Sequence, residues 1–303
     1  MNNNRLKINT IINGDCLDIL KGFPDGCVDL IVTSPPYANS RKADYGGVNP
    51  NDYVEWMLPR AKEFLRVLKP KGTFILNIKE KVVDGERHTY GIELILELRK
   101  IGWLWTEEFI WHKKNSFPGK WPNRFRDAWE RCLQFNKNKK FKIYQDSVKI
   151  PIGDWSKKRF KSMSENDFIR YASNNNKHLG RKVSNWLKRK KVYPHNVIVF
   201  EEEHYNYPTN LLYFATECSN GRKHSAVFPI ELPTWFIKLF TKKGDIVLDP
   251  FIGSGTTALS CILLDRKFIG IEVIKDYVKE SKKNISGLLN KINKKVSFTI
   301  KDD

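Results

Sequence analysis

Three observations predict an α/β fold with a module inserted into it. Apolar strands alternate with amphipathic helices over residues 6–136. The same rhythm returns over residues 223–303. Between them, from about 145 to 222, the rhythm stops and the chain turns strongly basic. Alternation of this kind is the signature of strands covered by crossover helices.

Taken in order, Ile8 to Ile12 reads as a short strand, followed by a turn at Asn13-Gly14-Asp15. Leu17 to Leu20 is a short helical piece ending near Gly22. Val28-Asp29-Leu30-Ile31-Val32 is a mostly apolar run that reads as a buried strand. Residues 52–68 carry Tyr53, Trp56, Met57, Phe64, Leu65 and Leu68 at helical spacing, and Lys69-Pro70-Lys71-Gly72 reads as the end of that helix. A strand over Thr73 to Ile78 follows, then a helix over 91–101 and strands at Trp105 to Trp111 and Cys132 to Phe135. Beyond the insertion come a helix over Leu232 to Phe240 and a strand over Asp245 to Leu248. A helix over Thr256 to Leu264 and a strand over Phe268 to Ile271 continue the pattern, and a basic helix starts at Tyr277. Val296 to Ile300 is a candidate closing strand.

The composition narrows the function. The 303 residues are 41% hydrophobic, enough for a sizeable core, and carry a formal net charge of +19. The excess of Lys and Arg over Asp and Glu points to a polyanionic partner. Much of it lies between 151 and 195, from Lys157, Lys158, Arg159 and Lys161 to Lys188, Arg189, Lys190 and Lys191, against only Asp154, Glu165 and Asp167. Trp155, Phe160, Phe168, Tyr171 and Trp186 are interleaved there. Lys and Arg hold phosphates, whereas Arg and Asn also read base edges, which makes Arg181, Asn185 and Arg189 candidate DNA contacts. The loop after residue 38 adds Arg41 and Lys42. The five cysteines, at 16, 27, 132, 218 and 261, have no metal-binding spacing and fit a reduced, cytoplasmic chain. No secretory leader or membrane-spanning run is expected.

Two segments carry the chemistry. Thr33-Ser34-Pro35-Pro36-Tyr37 follows the Val28 strand. Two successive prolines cannot continue a strand, so the chain must turn there. The turn fixes a hydroxyl, rigid carbonyls and an aromatic ring at a strand's carboxyl end, where open α/β sheets bind ligands. Such a group can accept hydrogen bonds from an amine and stack on a flat ring. The second segment is Asp249-Pro250-Phe251-Ile252-Gly253-Ser254-Gly255-Thr256-Thr257, a strand entering a Gly-rich turn that opens a helix. Its helix N-terminus favours an anion. It lacks the Lys of a P-loop and the full GxGxxG fingerprint, so a carboxylate-bearing ligand suits it as well as a phosphate. About twenty residues on, Glu272 ends the next strand, where a carboxylate can meet ribose hydroxyls.

Ser34-Pro35-Pro36-Tyr37 followed much later by Asp249 to Thr257 resembles the β class of DNA amino-methyltransferases, with Asn13-Gly14-Asp15-Cys16 ahead of the first motif and His224 to Pro229 ahead of the second. The resemblance covers nearly the whole chain outside 145–222. It implies a circularly permuted, Rossmann-like methyltransferase sheet with an inserted target-recognition module. Residues 1–144 would form the catalytic half, 145–222 the DNA-recognition region and 223–303 the cofactor half. The cofactor would be S-adenosyl-L-methionine and the partner duplex DNA, with a cognate restriction endonuclease as a functional partner.

The resemblance also implies roles. Ser34 and the Pro35 carbonyl would accept from the target amine, Pro36 would shape the pocket, and Tyr37 would stack on the extruded base. Asp249, Pro250, Phe251, Gly253, Ser254 and Gly255 would line the methionine end of the cofactor, with Thr256 and Thr257 at its carboxylate. Asp15 and Cys16 would lie at the adenine, Phe228 and Pro229 beside the cofactor, and Glu272 at the ribose. Ser34, where Asp is usual in adenine-N6 enzymes, points to cytosine-N4. So does the run Trp111-His112-Lys113-Lys114-Asn115 through Ala128-Trp129-Glu130. Neither a metal nor a cysteine nucleophile is expected.

Overall fold

In the computed structural model, residues 6–38, 47–113, 127–151, 169–170, 181–182, 191–192, 197–198, 229–293 and 296–302 are described. The chain runs β1 (Thr10–Asn13), α1 (Cys16–Lys21), β2 (Val28–Thr33), α2 (Tyr53–Val67), β3 (Leu68–Ile78), a small hairpin of β4 (Val82–Val83) and β5 (Glu86–Arg87), and α3 (Tyr90–Lys100). It continues with β6 (Leu104–His112) and β7 (Trp129–Asn136). Five two-residue strands follow: β8 (Ile150–Pro151), β9 (Ile169–Arg170), β10 (Arg181–Lys182), β11 (Lys191–Val192) and β12 (Val197–Ile198). The last elements are α4 (Glu231–Phe240), β13 (Ile246–Asp249), α5 (Thr256–Leu263), β14 (Lys267–Glu272), α6 (Lys275–Lys291) and β15 (Thr299–Asp302).

The main sheet has the order β12-β6-β7-β3-β2-β13-β14-β1-β15. Its centre is parallel, and β7 runs antiparallel to both β3 and β6. Strands buried on both faces need apolar side chains in both directions, which is why β2 is apolar on both faces apart from Asp29 near its start and Thr33 at its end. Leu30 and Val32 pack into one helix layer with Trp235, Phe236 and Phe240, while Ile31 packs into the other with Tyr53, Phe64 and Phe74. Each large side chain buried this way contributes roughly 2 kcal/mol.

The topology places the site. β13 crosses through α5 to β14 on one side, and β2 crosses through α2 to β3 on the other. Neighbours that depart in opposite directions leave a crevice at their carboxyl ends, where open sheets bind ligands.

Two local expectations need correction. Lys69-Pro70-Lys71-Gly72 does not form a turn after the helix; α2 ends at Val67 and these residues open β3. They do so through an irregularity, since Val28 pairs with Leu68 but Leu30 pairs with Thr73. Helical spacing of Leu68 with Phe64 and Leu65 was outweighed by pairing with β2. The first and last strands sit about two residues later than their apolar runs suggest, and Asn9 turns the chain with φ of 51°. Among the described residues of the basic stretch, β12 pairs parallel with β6 of the main sheet.

Candidate active site

At the carboxyl ends of β2 and β13, the two motifs meet. Thr33 Oγ1 donates to Asp249 Oδ1 at 2.6 Å across 216 positions of sequence. Asp249 also accepts from Thr257 Oγ1 at 2.6 Å and from the Phe251 amide at 3.1 Å. It is fully buried, and burial pushes its carboxyl up to about 6 against the pull of these donors. Asp249 therefore braces the two turns together and is only 1% exposed. The Thr257 hydroxyl is already engaged in this brace.

The Gly turn is tight. Gly253 and Gly255 have φ of 52° and 93°, values that side chains rarely adopt. A Cβ on Gly255 would also lie 3.0 Å from Ser281 Cβ. Gly255 is the N-cap of α5 and brings no side-chain cap, so the first helix amides are open to an anion. Glu272 is 2% exposed and holds the turns from the far side. Its Oε2 accepts from the Gly253 amide and its Oε1 from the Ile274 amide, each at 2.9 Å.

A cleft opens beside these turns. Asp15, Cys16, Pro36, Pro250, Phe251 and Glu272, all expected at the site, line it. Asp15 caps α1: its Oδ1 accepts from the Leu17 amide at 2.8 Å, and its Oδ2 from Arg60 at 2.6 Å. Burial pushes the Cys16 thiol up to about 12, so it remains a neutral packing group. Pro229 is buried at the start of α4. Phe228, Arg41, Lys42, Asn185 and Arg189 lie outside the described residues. Arg181 opens β10, opposite Arg170 of β9.

Among the cleft-lining residues that sequence reasoning missed are Trp56 and Arg60 of α2. Arg60 stacks on Trp56 at 4.4 Å from the ring centroid, and Trp56 meets Phe251 at 5.7 Å. Trp56 was counted only as a core position. Its i,i+4 spacing with an Arg, on a helix whose other apolar positions already fill the core, was the available signal.

Beside the cleft, the Ser-Pro-Pro-Tyr turn joins a second group of polar side chains. Ser34 Oγ donates to Tyr37 Oη at 3.2 Å. Tyr37 Oη lies 2.6 Å from Glu130 Oε2 and 3.1 Å from Asn77 Oδ1. Glu130, on β7, is 3% exposed and its Oε1 is ion-paired with Lys113. Burial, and then the Glu130 charge, push the Tyr37 hydroxyl well above its ordinary value, so it stays protonated. The Tyr37 ring itself is half-buried. Among the described residues no group of three His, Cys, Asp or Glu could hold a metal ion.

The sequence model of a family described as DNA methylase matches residues 28–283. The Type II methyltransferase M.PvuII of Proteus hauseri is 29% identical over 288 residues, covering 88% of this chain and 81% of its own length. M.BglII of Bacillus subtilis is 27% identical over 282 residues, covering 92% of this chain and 69% of its own. Among solved structures, the PvuII DNA methyltransferase, titled cytosine-N4-specific, superposes with a TM-score of 0.65 at 25% identity, covering 97% of this chain and 95% of its own. TTHA0409 of Thermus thermophilus, solved with S-adenosyl-L-methionine, superposes with a TM-score of 0.59 at 20% identity, over 97% of this chain and 98% of its own; that likeness is one of fold.

Proposed function

The chain belongs to the DNA methylase family, and we infer that it transfers a methyl group from S-adenosyl-L-methionine to the exocyclic N4 amine of cytosine in duplex DNA. The observation that carries this reading is the bond between Thr33 and Asp249. It holds an amine-accepting turn against a Gly-rich turn, as a transfer between two bound molecules requires.

The residues present fit the cofactor. Open amides at the start of α5 suit its carboxylate. Glu272 lines the cleft, where its carboxylate can meet a ribose hydroxyl. Trp56 and Phe251 offer flat apolar walls. When bound, the sulfonium supplies an electrophilic methyl, so no enzyme nucleophile is needed. Ser34 Oγ and the Pro35 carbonyl accept hydrogen bonds from the amine, drawing its lone pair out of conjugation and aiming it along the transfer line. Tyr37 gives the extruded base a ring to stack on. Pro36 closes the wall between base and cofactor.

Ser34, in place of the Asp usual in adenine-N6 relatives, supports cytosine, and so does the cytosine-N4 title of the PvuII structure. The basic segment 145–222, with Arg181, Asn185 and Arg189, is the part that would hold phosphates and read the target, helped by Arg41 and Lys42. The Type II relatives support a protective role beside a restriction endonuclease in the cytoplasm. No helix among the described residues is long and apolar enough to cross a membrane.

Incubating the protein with labelled S-adenosylmethionine and duplex DNA, then digesting to nucleosides, tests the reading. N4-methylcytosine is the expected product. N6-methyladenine would keep the reaction and move the substrate; label in RNA but in no duplex DNA would overturn it.

A further inference from the structure

We propose that Glu130 is a positioning residue that sets the direction of a hydroxyl chain and so makes Ser34 an obligate acceptor at the methylated amine. The inference rests on the amine-methylation reading above and names a part of the same site.

A serine hydroxyl has one proton and two lone pairs, so on its own it can face an amine either way. If its proton points at the amine, donor meets donor and the contact is repulsive. Something must turn that proton away. The Tyr37 hydroxyl also has a single proton, with two acceptors in reach: Glu130 Oε2 at 2.6 Å and Asn77 Oδ1 at 3.1 Å. The shorter, charged acceptor takes it, because charge-assisted bonds are about twice as strong as neutral ones. Lys113 is ion-paired to the other Glu130 oxygen, and a carboxylate can only accept. Asn77 presents its carbonyl oxygen to Tyr37, since its amide nitrogen faces the Arg131 carbonyl at 3.1 Å and Cys132 Sγ at 3.7 Å.

With its proton on Glu130, the Tyr37 oxygen can only accept from Ser34. The Ser34 proton is thereby committed, and its lone pairs are left for the amine. Glu130 thus holds a negative charge three hydrogen bonds from the nitrogen that turns positive during transfer. An Asp at position 34 would put that charge directly against the base; here it sits behind the Ser34 and Tyr37 hydroxyls. Glu130 is buried in β7 with one carboxylate oxygen on Tyr37 and the other on Lys113.

Glu130→Gln keeps the shape but supplies an amide that can donate to Tyr37, reversing the chain. The expected result is a kcat lower by roughly 100-fold, with DNA and cofactor affinity within about threefold of wild type. In a Tyr37→Phe background the same change should cost less than about threefold, because the chain is already cut. Tyr37→Phe alone keeps the stacking ring and leaves the Lys113–Glu130 pair untouched. It should lower kcat by about tenfold with DNA affinity unchanged, and it carries the test if Glu130→Gln does not fold. Glu130→Asp, still acceptor-only, should recover part of the loss. Equal losses from Glu130→Gln in both backgrounds, or full activity in Glu130→Gln or Tyr37→Phe, would overturn the proposal. Wild-type protein that methylates no duplex DNA would instead overturn the amine reading on which it rests.

Discussion

The two central strands each bury a carboxylate, at opposite ends and with opposite partners. At the carboxyl end of β13, Asp249 is held by two threonine hydroxyls and one amide, all neutral. Burial wins there, and the carboxyl rises to about 6. Near the amino end of β2, Asp29 is just as hidden, at 2% exposure. Its partners are Lys69 at 2.6 Å, Lys142 at 3.0 Å and the Ile246 amide at 3.1 Å. Burial again pushes upward, but the lysines and the amide more than offset it, and Asp29 stays below its ordinary value. The difference follows function. Around Asp249 the chain builds a rigid brace without committing a cation beside the place where a cationic cofactor is proposed to bind. Around Asp29 it has no ligand to accommodate and neutralises the charge directly.

Opposite pH trends should break or sharpen this contrast. Because the folded state holds the Asp249 proton more tightly than the unfolded chain, stability from that group is complete below about pH 4. It is lost as pH rises through about 6. Between about pH 4 and pH 7, wild type should lose about 3 kcal/mol relative to Asp249→Asn, read from urea midpoints at each pH. A constant difference would remove the buried, raised carboxyl from the account.

Asp29→Ala should go the other way. The stability from a depressed carboxyl is present above its unfolded value and is lost as pH falls through its folded one. The variant should be about 2 kcal/mol less stable at pH 7, with the gap closing under acid. The figure is discounted because both lysine side chains are more than a third exposed and can return to water. Methyl transfer per folded molecule should be unchanged, and a matching fall in activity would show that the two ends are not separate.

The smallest effect is expected in the cleft wall. Trp56→Ala should weaken S-adenosylmethionine binding by about tenfold in calorimetry, while costing less than about 1 kcal/mol in stability because the ring is half-exposed. Loss of stability without loss of affinity would return Trp56 to the core.

Much of the site was legible because its parts are local. Two prolines after an apolar strand force a turn at Ser34, and glycines at 253 and 255 permit one that no other residue makes easily. Glu272 was found by its distance from that turn. Trp56 and Arg60 were not, because a helical tryptophan looks the same whether its ring meets the core or a cleft. Glu130 was seen only as part of a run near β7; its bond to Tyr37 spans 93 positions and has no spacing to betray it. Lys69 to Gly72 misled because a helix stop and a strand start share the same residues.

By itself, then, the sequence determined the alternating elements, the two turns and the basic segment between them, since strand period, helix period and turn chemistry act over a few neighbours. Only the tertiary structure decided that β2 and β13 lie side by side, that Thr33 meets Asp249, and that a buried glutamate faces Tyr37. Those outcomes depend on strand order and register, which are selected by packing across the whole sheet and leave no mark in the local spacing of residues.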